Sequence, residues 1–264
     1  ISGTTGESHS LSLEERRALT TRWMEVTRGS DLKVVVHVGA NALGDAAALA
    51  AQAQELGAEA ISALSPSYFK PRTVTALVDS CAQITASAPE IPFYFYDIPS
   101  FTGVSLPMPE FLSLGMERLP TLAGVKFTNP DAMMFQQCRH HSGGAFAILW
   151  GTDECLLAGL ALGAMGAVGS TYNFAAPIYQ RLMAAFEKND LEAARAEQMR
   201  SIRLISRLAS VGYMGAAKTV MKFLGVDVGP ARLPHSCLGA AEVKALLADL
   251  QQMGFFEWVN APRI

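Results

Sequence analysis

The sequence predicts an α/β fold on a parallel sheet, specifically a (β/α)8 TIM barrel with a helical extension at its C-terminal end. Three observations carry this. Short, continuously apolar runs rich in β-branched and aromatic residues recur along the 264 residues, as strands buried on both faces do. Amphipathic or alanine-rich stretches of helical length separate them, and strand–helix alternation makes a parallel sheet with helices outside. Two junctions, "AAQAQELGAEAIS" and "LAGLALGAMGAVGS", repeat one pattern in which Leu-Gly-Ala closes a helix and an apolar run follows at once.

In chain order, the strands are expected in "KVVVHVG" from Lys33, "AEAISALSP" from Ala58, "IPFYFYDIP" from Ile91, "LAGVKFTNP" from Leu122, "FAILWGT" from Phe146 and "GAVGSTYN" from Gly166. Helices are expected over Leu13–Thr27, Asp45–Leu56, Thr73–Ala86 and Glu154–Leu162. After Asn173 the sequence is helical throughout, over Pro177–Lys188, Leu191–Ser210, Ala216–Leu224 and Ala240–Met253. A unit of roughly 30 residues suits a barrel, which typically needs about 250; an open doubly wound sheet is the competitor. The chain opens with "ISGTTGES", a glycine-rich turn that reads as the end of a strand. A closed barrel counted on these strands therefore lacks its N-terminal strand 1 and most of strand 2, about 45 residues. The expected division is residues 1–175 for the barrel and 176–264 for its last helix and the extension.

A net charge of -3 and scattered basic residues exclude an electrostatic footprint for nucleic acid or an anionic membrane. Apolar stretches are too short and too often broken by glycine to span a bilayer. Cys81, Cys138, Cys155 and Cys237 lie far apart without a C-x-x-C pair, so neither zinc nor a disulfide framework is expected. His140 and His141, beside "SGG" in an expected loop, have no further ligand at metal spacing, and His37 reads as a core histidine. A small molecule or another copy of the chain is the expected partner, in a reduced cytoplasmic compartment.

Functional groups of a parallel barrel gather where strands end. Those positions hold Thr4, Thr5 and Glu7; Tyr96 and Asp97; Lys126 and Thr128; Asp153 and Glu154; and Ser170, Thr171, Tyr172 and Asn173. "GTTGES" is either a capped turn or an anion cradle of amides and hydroxyls. Tyr96 is a core tyrosine or a proton carrier, and Asp153 and Glu154 are helix-start carboxylates or acceptors for substrate hydroxyls. Lys126 is the most informative: an ammonium ion inside an apolar run must be paired, exposed at a strand end, or held neutral for chemistry. A neutral lysine in a dry site attacks a ketone and forms a Schiff base, which acts as an electron sink for carbon–carbon cleavage.

Taken in order, "GTTGE", "YDIPSFTGV", "GVKFT", "GTDE" and "GSTYN" resemble the N-acetylneuraminate lyase branch of the class I pyruvate-dependent aldolases, a superfamily shared with dihydrodipicolinate synthase. The resemblance runs from residue 1 to about Arg232. It implies that Lys126 is the Schiff-base lysine, that Tyr96 shuttles a proton, and that Thr4 and Thr5 grip the pyruvyl carboxylate. It further implies that Thr128, Gly151, Asp153, Glu154 and Ser170 hold the sugar chain, that sialic acid and pyruvate are the small-molecule partners, that no metal or organic cofactor takes part, and that the assembly is a homotetramer. The synthase branch has an arginine two residues after the proline of Tyr-x-x-Pro, where this chain has Phe101. Many bacterial relatives have a second tyrosine where this chain has Phe69, with Tyr68 one residue earlier. Another 2-keto-3-deoxy sugar acid, a synthase-like condensation or a non-catalytic sugar-acid binder are the competing readings.

Overall fold

The computed structural model describes residues 1–260. Five strands form one sheet in the order β1-β2-β3-β4-β5. They are β1 Val35–His37, β2 Ala60–Leu64, β3 Phe93–Asp97, β4 Leu122–Phe127 and β5 Ala147–Trp150, every neighbouring pair parallel. A doubly wound sheet reverses its order at a switch point. Strictly sequential order is instead that of successive barrel strands. Ile1 lies along the open side of β1, its amino group donating to the Val35 carbonyl at 2.6 Å and its carbonyl accepting from His37 N–H at 3.0 Å.

Two compact units divide the chain: Ile1–Gly151 with Leu162–Gly166, and Thr152–Ala161 with everything from Ala167 onward. The first holds the sheet and helices α1 Leu13–Val26, α2 Leu43–Glu55, α3 Val74–Thr85, α4 Pro99–Thr102, α5 Met108–Arg118 and α6 Ala132–His140. Sequence chemistry sets the starts of several. Ser12 and Glu15 form a reciprocal capping box on α1, while the Thr73 and Asp131 side chains accept N–H bonds at the starts of α3 and α6. The layer between sheet and helices is aromatic, with Phe95 against Phe111 at 4.7 Å and Phe135 between Phe127 and Trp150 at 5.5 and 5.0 Å.

The second unit is helical: α7 Leu156–Ala161, α8 Tyr172–Glu187, α9 Leu191–Ala209, α10 Tyr213–Phe223, α11 Ala240–Met253 and α12 Phe255–Trp258. Arg181 clamps Glu197 with two bonds of 3.0 Å, tying α8 to α9. Pro177, expected to open a helix, lies inside α8, and the backbone leaves helical geometry at Ala175 two residues before it. That is the disturbance an internal proline imposes on the preceding turn.

The sixth apolar run departs from expectation. "GAVGSTYN" forms no strand; Ala167 makes an isolated bridge, and Trp150 N–H donates to the Gly166 carbonyl at 2.9 Å. Two glycines weaken the run as a strand, and Gly169 passes so close to the Asp153 carboxylate that a Cβ would lie 2.4 Å from it. His140 also differs from the expected loop, being the last residue of α6.

Candidate active site

Register brings the two central residues together. Tyr96 on β3 and Lys126 on β4 are direct partners across the parallel ladder, and side chains at paired positions project from the same face. Lys126 Nζ stands 3.8 Å from the centroid of the Tyr96 ring, a cation–π distance. Lys126 is half-buried, and among the described residues no carboxylate pairs with it. The paired alternative for this lysine therefore falls, and a strand-end amine facing a phenol remains. The Thr4 hydroxyl donates to Tyr96 Oη at 3.4 Å, so three of the anticipated residues meet at one point.

The turn carrying Thr4 and Thr5 is closed by Glu7 N–H to the Thr4 carbonyl at 3.0 Å and Ser8 N–H to the Gly3 carbonyl at 3.3 Å. Ser2 and Glu7 both take left-handed φ values of 54°. Non-glycine residues in that region cost free energy and concentrate at functional sites. Thr128 and Gly151 meet at the ends of β4 and β5, where Thr128 Oγ1 donates to the Gly151 carbonyl at 3.4 Å. A Cβ on Gly151 would fall 1.8 Å from that hydroxyl, so glycine is what allows the approach.

Behind Tyr96 and Lys126, backbone and side-chain bonds clamp the same two strands. Thr128 N–H donates to the Asp97 carbonyl at 2.8 Å, and Asn129 Nδ2 donates to Asp97 Oδ2 at 3.0 Å. Burial pushes the Asp97 carboxyl up to about 6 while the Asn129 bond opposes the shift. At the start of the sheet, the buried Arg16 of α1 donates to the carbonyls of His37 at 2.7 Å and Gly39 at 3.0 Å. Burial lowers its guanidinium to about 10, with Asp45 acting in the opposite direction.

In the second unit Asp153 is buried and engaged. Its Oδ2 accepts from Thr171 N–H at 2.8 Å and from the Thr171 hydroxyl. That hydroxyl also meets Tyr179, which reaches the Ser201 hydroxyl at 2.8 Å. Gln198 Nε2 donates to the Asp153 carbonyl at 3.2 Å. Glu154, the next residue, is half-buried, and burial is the main cause raising its carboxyl, with Asp153 adding to it. Ser170 neighbours the Tyr213 phenol at the start of α10, and burial raises Tyr213 above the ordinary tyrosine range. Among the described residues no cluster of three or more His, Cys, Asp or Glu is arranged to hold a metal ion.

Sequence reasoning passed over Arg16, Asn129 and Tyr213. Arg16 lies inside "LEERRA", which reads as a solvated helix face, and Asn129 reads as a strand stop before proline. Tyr213 lies beyond every motif, with only a preceding glycine as local signal.

Comparison with known proteins decides the family. Residues 1–253 match the Dihydrodipicolinate synthetase family. The chain belongs to that family. Within it, the chain is 40% identical to the N-acetylneuraminate lyase of Mus musculus, across 89% of this chain and 74% of that protein. It is 36% identical to the Homo sapiens N-acetylneuraminate lyase, across 98% and 82% respectively. Among solved structures, the Proteus mirabilis N-acetylneuraminate lyase superposes with a TM-score of 0.93 at 38% identity, over 97% of this chain and 86% of that one. A Ruminococcus gnavus sialic acid aldolase, solved as a catalytic lysine mutant, superposes with a TM-score of 0.90 at 28% identity, over 97% and 84%. The five sequential parallel strands are thus part of the family's (β/α)8 TIM barrel.

Proposed function

We propose that this chain is a class I aldolase that cleaves open-chain N-acetylneuraminate to pyruvate and N-acetylmannosamine, with Lys126 as its Schiff-base residue. The observation that carries the reading is Lys126 Nζ facing the Tyr96 ring at 3.8 Å, with no counter-ion among the described residues, in a chain similar to N-acetylneuraminate lyases. Lys126 Nζ attacks the C2 ketone, and loss of water gives an iminium ion. Tyr96 gives its phenolic proton to the hydroxyl that leaves as this water, and the phenolate so formed, stabilised by the Thr4 hydroxyl, takes the proton of the C4 hydroxyl. The C3–C4 bond breaks, its electron pair neutralises the iminium as an enamine, and C4 leaves as the aldehyde carbon. Protonation at C3 and hydrolysis release pyruvate and restore the amine. The iminium is the electron sink, so this chemistry requires neither metal nor organic cofactor.

Thr4 and Thr5 hold the pyruvyl carboxylate in this reading, from a turn rich in amides and hydroxyls. Thr128, Gly151, Asp153, Glu154 and Ser170 serve the sugar chain, whose hydroxyls need acceptors as well as donors. Glu154 is the carboxylate offered to substrate, because Asp153 Oδ2 is already occupied by Thr171. Phe101 in place of the synthase arginine leaves no guanidinium there for a second carboxylate.

The assembly is a cytoplasmic homotetramer in this reading. No helix among the described residues is long and apolar enough to cross a membrane. Tyr68, Phe69 and Phe101 are 78%, 86% and 69% exposed, which suits contact with another copy. Light scattering that returns a monomer overturns the tetramer. Turnover across a panel of 2-keto-3-deoxy sugar acids and an aldehyde–pyruvate condensation tests the substrate. N-acetylneuraminate should give the highest kcat/KM, and preference for another acid or for the condensation contradicts the assignment.

A further inference from the structure

His37 ends β1 and is 3% exposed. Its backbone is fixed on both sides, N–H to the Ile1 carbonyl and C=O to the Arg16 guanidinium. Among the described residues the ring has one hydrogen bond: Nδ1 lies 3.2 Å from the Ser62 hydroxyl on β2. Nε2 is buried and has no hydrogen-bond partner among the described residues, although orphaning a buried polar atom costs about 1–3 kcal/mol. An apolar side chain would carry no such cost. What the imidazole touches explains the choice: its ring stands perpendicular to Tyr96, centroids 5.9 Å apart at 89°. Tyr96 is thus contacted by His37, by Lys126 Nζ and by the Thr4 hydroxyl.

Burial, followed by the positive charges of Arg16, Lys126 and His9, holds the imidazole well below its ordinary range. It is therefore neutral at physiological pH and supplies shape and a fixed dipole rather than charge. Gly39 leaves room beside it, since a Cβ there would lie 2.9 Å from Nε2.

We propose that His37 is a positioning residue for Tyr96: oriented by the Ser62 hydroxyl, its ring sets the rotation of the phenol between Thr4 and Lys126. Sequence pattern places His37 in the core, and the structure places it in the core directly against the proton carrier. The inference rests on the aldolase reading, so its test uses pyruvate alone and needs no sugar. Pyruvate bound as an imine loses a C3 proton to the base and, in D2O, regains a deuteron, while borohydride reduction reports imine formation separately. Small misplacements of a proton-transferring group cost much of its contribution. In the full chain, Ser62→Ala, which leaves the imidazole in place but removes its anchor, should lower the ratio of exchange to trapping by about tenfold. His37→Phe should do the same. In a Tyr96→Phe background, adding His37→Phe should lower exchange by less than about twofold, because His37 acts through the phenol. An unchanged ratio in Ser62→Ala, or losses that multiply in the double variant, overturns the proposal. If His37→Phe does not fold, Ser62→Ala decides alone. A wild type that neither traps nor exchanges pyruvate overturns the aldolase reading and this inference together, whereas normal wild-type behaviour with unaffected variants overturns this inference only.

Discussion

The strand ends around Lys126 and the loop around Asp153 are both rich in polar side chains, yet they are bonded in opposite ways. Asp153 is held by several bonds, with Thr171 giving two hydrogen bonds to its Oδ2 and Gln198 one to its carbonyl, while Tyr179 and Ser201 extend the chain from Thr171. Among the described residues, Lys126 has a phenol ring and no ion-pair partner, Tyr96 Oη has a long bond from Thr4, and His37 Nε2 has no hydrogen bond. A densely bonded network fixes a loop, since each buried partner removed leaves another unsatisfied. An unsaturated one is poised for a ligand that completes it. Under the proposed function, this contrast assigns the imine chemistry to Lys126 and Tyr96 in the first unit, while Asp153 fixes the loop that carries Glu154 in the second.

The contrast breaks if the two regions respond alike to mutation. The largest effect on stability should come from Asp153→Ala, which removes two bonds to a buried carboxylate. At about 1.5–3 kcal/mol each, the loss should reach about 3 kcal/mol and lower Tm by roughly 5–10 °C. Pyruvate trapping below the new Tm should persist; an unchanged Tm would mean that the Asp153 network is not structural. Tyr96→Phe should do the reverse, leaving Tm within a few degrees and lowering kcat by about 10²-fold, the lower end of a general acid–base contribution. Normal kcat would return Tyr96 to the core.

Glu154→Gln keeps shape but removes charge, and should weaken kcat/KM for sialic acid by about 1.5 kcal/mol or more, tenfold or greater. Imine formation with pyruvate, which lacks the sugar chain, should change far less. An equal loss in both would assign Glu154 to the fold.

Asp97 should give an effect of the opposite sign, a gain in stability. Its folded carboxyl is raised to about 6, above the ordinary value. The folded state therefore binds the proton more tightly than the unfolded state does. The resulting stability is fully present below the ordinary aspartate range, about pH 3.9, and is lost as pH rises through about 6. Asp97→Asn should then be more stable than wild type at pH 8, by about 3 kcal/mol at most, and the difference should shrink as pH falls from 6 towards 4. Parallel stability curves for the two proteins across that range would contradict the sign.

The five strands were visible in sequence because each lies in a short, largely apolar run, buried on at least one face and bounded by Gly, Pro or Asn. The sixth run carries the same apolar signal but bends around Asp153, a constraint from 16 residues upstream of Gly169 that no local window contains. Helices α5 and α6 were not singled out, since α5 begins beside Pro107 and Pro109 and both are short. Within the site, Thr4, Tyr96 and Lys126 were recognisable by residue type at strand ends. Their meeting depends on the β3–β4 register and on a turn 92 residues from Tyr96. Arg16 and Asn129 were invisible for the same reason, because what they bond to is set by tertiary structure.

The most direct measurement of the central claim is to reduce the chain with borohydride in the presence of pyruvate and map the modified peptide by mass spectrometry. The account predicts a single pyruvyl adduct on the peptide containing Lys126, absent in Lys126→Arg because guanidinium stays protonated. An adduct on another lysine, or one that survives Lys126→Arg, would contradict it.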